Sequence, residues 1–531
     1  MKITATNKGF STVEMLIAMT VMSLMLGAIM LVIFGSQTFV SDASAHAKAL
    51  SLASLIQEEE EVLSQKDFNL LSASSSLYTI GSTTYAAAIT VELQPDYATR
   101  KVTTSVTWQE EHARTGKVSL VDYVADYENA ASTNTCSISG DWSHPTVQNV
   151  QTNFAQLVGD SSGIYSLGGV DAYKGRLYVT ATVSGATKKN FFIFDTTAGP
   201  SPQLLGSLDT TGPSIGSGGA AVVVATSSQN NNPGNFAYVA NAYNANFATC
   251  TPKPADPNGG NCAQLQIFDV TNPAAPVLIS NYLLPTTTAS AHVTGSGSSG
   301  AVGSSIFYKD GYIYLGLTKT TTGPEFNIID VHNPHSPAWV GGYKVGYVVN
   351  AIYVADNIAY IAHPTDSSAT LPEQVTVLSL TDKSNPVRIS GYKAPDKQGN
   401  GKSLYRAGST LYIGRTVNTT AGSNDAYVLH DDDPANLVAL NPNTPQPLGI
   451  KLSSSINALL ARGQLLFLLS GTSGTPGSLN IFNPAVSTST PLASLALPGA
   501  SSGAAMDCEG NTLYAASNDL SNKGYLSVIY P

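Results

Sequence analysis

One short strand recurs seven times after residue 170, and this repeat constrains the fold more than any other feature of the chain. The recurring segments are RLYVTA, FAYVAN, YIYLGL, IAYIAH, TLYIGR, LLFLLS and TLYAAS, which begin at residues 176, 236, 312, 358, 410, 465 and 512. Each follows a short apolar strand and a turn, and most precede a third strand that ends in a turn, as in LQIFDVTNPAAP. A unit that repeats along the chain predicts an architecture built from equivalent modules.

The size of the unit indicates which repeat architecture to expect. Four short strands at a spacing of roughly 40–60 residues are typical of a β-propeller blade. Residues 142–531 are therefore predicted to form an all-β propeller of seven blades, of which the fifth, around AYVLHDDDPANLVAL, has the least regular pattern. The sequence stops at Pro531, just after a third strand, so we expect residues near Pro145–Phe154 to supply the outer strand and remove an open sheet edge.

The N-terminal part of the chain has a different pattern. Residues Met15–Phe34 carry no charge. At about 1.5 Å per residue, a helix of this length matches the roughly 30 Å thickness of a bilayer core. Glu14 stands just before this stretch, and the short basic leader MKITATNKG precedes both. No glycine or proline interrupts Ser36–Ser76, so a helix that spans the membrane over residues 10–35 is predicted to continue to about Lys66.

A small antiparallel sheet is predicted after this helix. Its three strand candidates are Thr84–Leu93, Arg100–Gln109 and Gly116–Tyr127. The helix offers the sheet a loose apolar stripe, formed by Leu50, Leu52, Leu55, Ile56, Val62 and Leu63. The chain is therefore expected to be multidomain, with an α+β domain over residues 10–128, a linker over residues 129–141 and then the propeller.

The segment Lys8-Gly9-Phe10-Ser11-Thr12-Val13-Glu14-Met15-Leu16 resembles the processing site of type IV pilins and pseudopilins. The resemblance implies that residues 1–9 are a leader peptide, removed after Gly9 by a prepilin peptidase, and that Phe10 becomes N-methylated. It also implies that Glu14 pairs with the terminal amine of a neighbouring subunit during filament assembly. The chain departs from many major pilins because its first proline is Pro95, outside the apolar helix.

Two weaker resemblances extend this interpretation. Val106-Thr107-Trp108, followed by Gly116–Leu120, looks like minor pilins rather than a major subunit. The IFDVTNPAAP and IIDVHNPHSP units resemble LVIVD-type repeats of bacterial surface propellers. Asp195, Asp269 and Asp330 occur once per repeat at the same turn, where an aspartate bonds to nearby backbone, so a structural role is expected for them.

The four cysteines fit an oxidising compartment. Cys250 and Cys262 bracket one loop of the second blade, and their short separation predicts a loop-closing disulfide. Cys508 ends the first strand of blade seven, and Cys136 lies just ahead of the proposed closing strand, so a bridge between them would lock the ring. Four cysteines allow three pairings, and a metal site is not expected without CxxC spacing.

Other candidate chemistry is weak in sequence. Gly499–Gly503 matches G-x-S-x-G, but a propeller strand follows where a nucleophile elbow needs a helix. His332 and His335, close to Asp330, could bind a metal, but a solvated, proline-containing turn is expected instead. Asp431, Asp432 and Asp433 could bind calcium, yet they lack the alternating ligand spacing of an EF-hand loop. We expect no enzymatic activity and no cofactor. Nucleic acid is not expected as a partner either, because no Lys/Arg-rich run accompanies the net charge of −10.

The longest loops predict the binding surface. Asn241–Asn261 and Pro285–Gly303 would decorate one sector of one propeller face, with Tyr243, Asn244, Asn246, Phe247 and His292 as candidate contact residues for an unknown surface ligand. By its resemblance the chain is expected to be a minor pilin-like subunit that displays this propeller for adhesion. Its partners would be other pilin subunits, the assembly machinery and a prepilin peptidase. It would lie in the bacterial inner membrane as a precursor and then on the cell surface. A structural filament coat and a type II secretion pseudopilin are the alternatives, and a pilus-tethered enzyme is a third.

Overall fold

The computed structural model describes most of the chain outside its N-terminus and a set of loops. The described residues are 12–66, 71–93, 99–109, 114–125, 136–148, 153–160, 163–183, 189–197, 201–209, 219–227, 234–242, 263–284, 294–295, 301–365, 373–396, 399–417, 423–439, 448–472 and 476–531. They divide into two compact units, of which the first ends at Ala125 and the second continues to Pro531. Within these residues, the chain is one long helix followed by eight antiparallel sheets of four or more strands, one two-stranded sheet and two short helical turns.

The first unit is a 55-residue helix, Thr12–Lys66, packed at its C-terminal half on a four-stranded antiparallel sheet. The strands follow each other in chain order as Ser74–Ile80, Thr83–Leu93, Thr99–Gln109 and Thr115–Ala125. The helix continues to Lys66, as its uninterrupted sequence predicts. The sequence interpretation missed the first strand, because SSSLYTI is mostly hydroxyl-bearing and lies exposed at the sheet edge.

The buried helix face differs from the predicted stripe. Ala49, Leu52, Ala53 and Ile56 are buried, whereas Leu50, Leu55 and Val62 are exposed. The buried set follows the i, i+3, i+4, i+7 spacing of one helix face, and its two alanines let the helix approach the sheet closely. Trp108 anchors the sheet side, with its ring centroid 5.8 Å from His46 and 5.9 Å from Tyr85.

The second unit contains seven sheets of four or five strands, here numbered 1 to 7 in chain order. In sheets 1 to 4 and in sheet 6, the four strands lie side by side in sequence order. Sheet 1 consists of Tyr165–Ala172, Arg176–Val183, Phe191–Asp195 and Gln203–Leu208; sheet 2 of Gly219–Ser227, Gly234–Asn241, Leu265–Asp269 and Val277–Tyr282. Sheet 3 consists of Gly303–Lys309, Tyr312–Leu317, Phe326–Asp330 and Ala338–Tyr343; sheet 4 of Ala351–Ala355, Ile358–Ala362, Val375–Ser379 and Val387–Tyr392. Two short strands form a separate antiparallel pair: Thr294–Gly295, which precedes sheet 3 in sequence, and Thr320–Thr322, which lies between the second and third strands of sheet 3.

The remaining three sheets include the irregular one that the sequence indicates. Sheet 5 consists of Gly401–Ala407, Thr410–Arg415 and Ala426–His430, and two short segments, Val438–Ala439 and Leu448–Ile450, share the fourth position against Ala426–His430. Sheet 6 consists of Ile456–Arg462, Leu465–Ser470, Ser478–Phe482 and Ala493–Ala496. Sheet 7 consists of Ser502–Glu509, Thr512–Asn518, Gly524–Tyr530 and the earlier segment Thr146–Gln148.

The first strands of the seven sheets form a closed ring. Each first strand contacts the first strand of the next sheet, and Ser502–Glu509 of sheet 7 contacts Tyr165–Ala172 of sheet 1. The outer position of sheet 7 is filled by Thr146–Gln148, which pairs with Val528–Tyr530 and confirms the expected closing strand. This arrangement of four-stranded antiparallel sheets is consistent with a β-propeller.

A repeated aromatic side chain fills the space between the sheets. The second strands place Tyr178, Tyr238, Tyr314, Tyr360, Tyr412, Phe467 and Tyr514 at equivalent register positions. Six of these side chains are buried and Tyr412 is partly buried. Loss of solvent around the hydroxyls raises the pKa of Tyr412 and of Tyr514 to about 12. The aromatic repeat seen in the sequence is therefore the packing layer of the propeller.

Glycine begins several first strands because neighbouring backbone lies too close for a side chain. A Cβ atom at Gly401 would lie 2.3 Å from the carbonyl oxygen of Gln374, and one at Gly303 would lie 2.7 Å from the amide nitrogen of Asn241. Just after these glycines the first strand carries one residue more than its partner, so that the pairing passes from Gly401 directly to Ser403. Such a β-bulge re-aims the extra side chain.

Candidate functional site

The N-terminal half of the long helix exposes a continuous apolar surface. Residues Thr12–Val32 have a mean hydropathy of 2.4, and none of this segment is buried against the rest of the described chain. Among the residues that the structure describes, this is the one helix that is both long enough and apolar enough to cross a membrane. Because such a surface is unstable in water, it needs lipid or protein around it.

Glu14 lies on one face of this apolar segment. The same face carries Ile17, Ala18, Val21, Met22 and Met25, which line a shallow groove that Glu14 begins. Glu14 is in the first helical turn, where the backbone N–H groups favour a negative charge. The face is therefore apolar with one carboxylate at its N-terminal end. Gly9 and Phe10 lie outside the described residues.

The disulfide between Cys136 and Cys508 is present, with the two Cα atoms 5.2 Å apart. It fixes the segment before the closing strand to the end of the first strand of sheet 7. The amide of Ser137 donates to the carbonyl of Gly510 at 2.8 Å, and the amide of Ser139 donates to Oδ1 of Asn511 at 2.8 Å. Trp142 is buried, and its ring centroid lies 5.0 Å from that of Phe467 in an edge-on contact.

The predicted binding loops fall in segments that the structure does not describe. Cys250 and Cys262, with Tyr243, Asn244, Asn246 and Phe247, lie in residues 243–262, and His292 lies in residues 285–293. Their disulfide and their surface therefore stay predictions.

The three aspartates considered for calcium do not share one site. Asp431 is buried, accepts from Nε of Arg406 and from the Tyr360 hydroxyl, both at 2.5 Å, and serves as the counter-ion of that arginine. Asp433 accepts instead from the amide of Ala435 at 3.1 Å, and Asp432 is exposed beside His430. No group of three or more His, Cys, Asp or Glu side chains arranged for a metal occurs within the described ranges.

The turn aspartates have the structural role expected from the sequence. Oδ1 of Asp195, Asp269 and Asp330 accepts from the backbone amide two residues later at 2.8–2.9 Å. His332 lies 2.8 Å from Asp330 through Nδ1 and edge-on to Tyr312, so its ring belongs to this turn. In the G-x-S-x-G segment, the buried Ser501 hydroxyl donates to the Ser517 hydroxyl at 2.7 Å.

Two half-buried carboxylates on the first strands of sheets 1 and 7 were missed by the sequence interpretation. Asp507 accepts from the amide of Ala172 at 2.7 Å, and Asp171 accepts from the amide of Val224 at 3.0 Å, so each ties its own sheet to the next. Burial and the neighbouring Asp507 raise the pKa of the Asp171 carboxyl well above its usual range. The signal was available, because Asp171 and Asp507 stand where other first strands carry valine, leucine or an aromatic residue.

No protein-family model matches the chain, and no curated protein matches it. Among solved structures, a candidate 6-phosphogluconolactonase from Bacteroides uniformis is 10% identical over 74% of this chain and 95% of its own, with a TM-score of 0.36. A serine-to-alanine mutant of puromycin hydrolase is also 10% identical, over 69% of this chain and 52% of its own, with a TM-score of 0.40. Values this low carry no argument about this chain.

The class of protein therefore follows from the chain's own structure. It is a β-propeller-like domain that follows an N-terminal apolar helix and its small sheet. The apolar helix, as a signal or an anchor, and the disulfide together suggest an extracytoplasmic location.

Proposed function

We propose that the chain is a minor type IV pilin-like subunit that displays a seven-bladed propeller on the cell surface for adhesion. The observation that carries the proposal is the exposed apolar helix, with Glu14 in its first turn, continuing without a break into a helix packed on a four-stranded sheet. That arrangement supports a role in which the helix lies first in the membrane and then among the helices of a filament.

The carboxylate at Glu14 supports assembly between subunits. A charge within a spanning segment costs on the order of 3 kcal/mol at mid-bilayer and less near the interface, so such residues are retained for a function. Cleavage after Gly9 would create an α-amine at Phe10. Because this amine would lie on the same helix, about 6 Å along the axis from Glu14, the amine of a neighbouring subunit is the better partner.

The size and surface of the second unit favour sparse or tip placement. A domain of this size is bulky for a thin filament, and rigid scaffolds with long loops usually carry binding sites. A filament coat would instead need a propeller at every helical repeat. Cryo-microscopy of assembled filaments separates the two functions.

The first experiment is mass spectrometry of the N-terminus in cells with and without a prepilin peptidase. We expect a mature chain that begins at methylated Phe10. Retention of residues 1–9 in the surface-exposed protein would exclude the pilin function.

The second experiment compares Glu14→Ala with Ser23→Ala, because the Ser23 hydroxyl donates to the carbonyl of Met19 within its own helix. We expect Glu14→Ala to block incorporation into filaments and Ser23→Ala to preserve it. Deletion of residues 142–531 should then abolish attachment to surfaces without abolishing assembly. Unchanged attachment after that deletion would favour the coat function.

A further inference from the structure

One of the extra residues at the β-bulges of the first strands is positively charged. In five first strands, a single residue is left out of the pairing with the second strand: Ala220, Ser304, Lys402, Asn457 and Ala504. All lie near the beginning of a first strand, and therefore at the same end of the propeller axis. Lys402 is the charged member of this set, and its neighbours on the other sheets are small or neutral.

The ammonium of Lys402 is held by a neutral partner. Its Nζ donates to Oδ1 of Asn457, the equivalent residue of the next sheet, at 3.0 Å. Nδ2 of Asn457 donates to the carbonyls of Gly471 and Gly503 at 3.0 and 2.9 Å. Because the Nδ2 group of Asn457 donates to two backbone carbonyls, a flip of the side-chain amide would break both bonds. The Oδ1 atom therefore stays directed at Lys402.

The ammonium has capacity for a further ligand. Lys402 is half-buried, and an ammonium group has three N–H donors. Within the described part of the chain, its one hydrogen bond goes to Asn457. Burial lowers the pKa of Lys402. A half-buried cation whose partner is neutral gains from an anion that supplies oxygen acceptors.

Carboxylates elsewhere at this end of the sheets are engaged by other groups. Asp396 forms a two-point contact with Arg415 at 2.8 and 3.1 Å, Asp425 lies 3.2 Å from Lys451, and Glu325 lies 2.9 Å from Lys344. An incoming carboxylate would therefore meet Lys402 without displacing an internal ion pair. Hydroxyl groups also lie at this end of sheets 5 and 6: Thr416 and Thr472 follow the second strands of the two sheets, and Ser455 lies in the segment that joins them. Their oxygens accept from the backbone amides of Asn400, Ser455 and Val417, respectively, and could in addition contact the hydroxyls of a sugar.

We propose that the pair Lys402 and Asn457, on the neighbouring first strands of sheets 5 and 6, binds the carboxylate of an acidic sugar, either free or within a polysaccharide. The proposal names the ligand class of the displayed propeller and so rests on the adhesive function above. It is a binding site without chemistry, and Lys402 is its charge-bearing residue.

The test is calorimetry on the full chain in detergent micelles, with galacturonate, an oligogalacturonate and neutral galactose as probes. We expect both acidic probes to bind and galactose not to bind. Stronger binding of the oligomer would identify a polysaccharide as the source of the carboxylate, and equal binding would identify the free sugar acid. Equal binding of galactose, or no binding of either acid, would overturn the proposal.

Three variants assign the site. Lys402→Met should weaken galacturonate binding roughly tenfold or more, the cost of one charge-assisted hydrogen bond. Lys393→Met is the matched control, because Lys393 is exposed just after a fourth strand at the same end of the sheets, and it should leave binding unchanged. Asn457→Asp should also abolish binding while Lys402 is retained, because the new carboxylate would occupy the ammonium. Thermal unfolding of each variant checks that the propeller is folded.

The outcomes separate this inference from the proposed function. If Lys402→Met binds galacturonate like the unchanged chain, the site is wrong, whatever the pilin experiments show. If the leader is retained at the surface but galacturonate binding depends on Lys402, the pilin function fails and the sugar-acid site stands.

Discussion

Asp431 is the carboxylate whose loss should destabilise the propeller most clearly. Its side chain is fully buried between Arg406 and Tyr360, and burial raises its pKa against the opposing effect of these partners. Asp431→Asn should lower the free energy of unfolding by about 3–5 kcal/mol, because it removes the charge of the buried carboxylate that pairs with Arg406. Urea unfolding followed by tyrosine fluorescence measures the loss.

The neighbouring Asp432 is the control, because its side chain is 58% exposed. Asp432→Asn should change stability by no more than about 0.5 kcal/mol. Equal effects of the two substitutions would contradict the ion-pair assignment, and a calcium-dependent rise in the unfolding temperature that both abolish would restore the calcium hypothesis.

Glu325 should make the propeller sensitive to acid. Burial alone would raise the pKa of this carboxyl, but hydrogen bonds from the Gly346 amide, Lys344 and Thr320 outweigh burial and lower the pKa below its ordinary 4.5. A lowered folded-state pKa stabilises the fold fully above the unfolded value, and this contribution disappears as the pH falls through the folded value. The stability difference between the unchanged chain and Glu325→Gln should therefore be constant near neutrality and shrink below about pH 4.5. A difference that grows on acidification would show the opposite sign.

The contact between helix and sheet in the first unit depends on small side chains. Ala53 is fully buried against the sheet, whereas Ala47 lies on the exposed face of the same helix. Ala53→Leu should cost about 1–3 kcal/mol by overpacking, and Ala47→Leu should be neutral. Circular dichroism during thermal unfolding measures both variants, and a neutral Ala53→Leu would show that the helix is not packed as described.

Element prediction from sequence succeeded where the pattern is repeated and failed where it is local. The second strands were predicted because Tyr178 and its six equivalents recur with the same neighbours. Ser74–Ile80 was missed because an exposed edge strand needs no apolar alternation. The buried stripe was misjudged because Ala49 and Ala53 are small, and the larger leucines at positions 50 and 55 are the more usual core residues.

The contacts that charged side chains make could not be predicted from the sequence, for a physical reason. Arg406 and Asp431 lie in different segments of the chain, as do Lys402 and Asn457, and only the folded arrangement of the strands brings each pair together. The disulfide between Cys136 and Cys508 could be predicted from the sequence, because the expected closing strand places these two residues side by side. The ring itself was predicted, since a chain of repeated sheets has to hide its final edge.

At the scale of the whole molecule, the disulfide should decide how firmly the ring stays closed. Cys136 and Cys508 are 372 residues apart in sequence, so their bond removes much of the freedom of the unfolded chain. The double change Cys136→Ser with Cys508→Ser should lower stability by about 2–5 kcal/mol. Calorimetry with and without reductant measures the unfolding temperature. Reductant should lower the unfolding temperature of the unchanged chain, and the part of that decrease caused by breaking the Cys136–Cys508 bond should be absent in the double variant. An unchanged unfolding temperature would mean that the closing strand and Trp142 suffice to hold the ring.

The same bond determines the path of a pulling force. A load applied from the N-terminal side reaches the second unit at Cys136, before it reaches Thr146–Gln148. With the sulfurs joined, tension crosses into the first strand of sheet 7, and the three residue pairs of the closing strand carry none of it. With the sulfurs separated, those three pairs would be peeled apart one after another. Single-molecule stretching in reductant should therefore open the ring at a much lower force, and equal forces would rule this path out. If the chain is anchored at its N-terminal end and the propeller is bound to a ligand, a rising force would therefore break the contact between propeller and ligand before it opens the propeller.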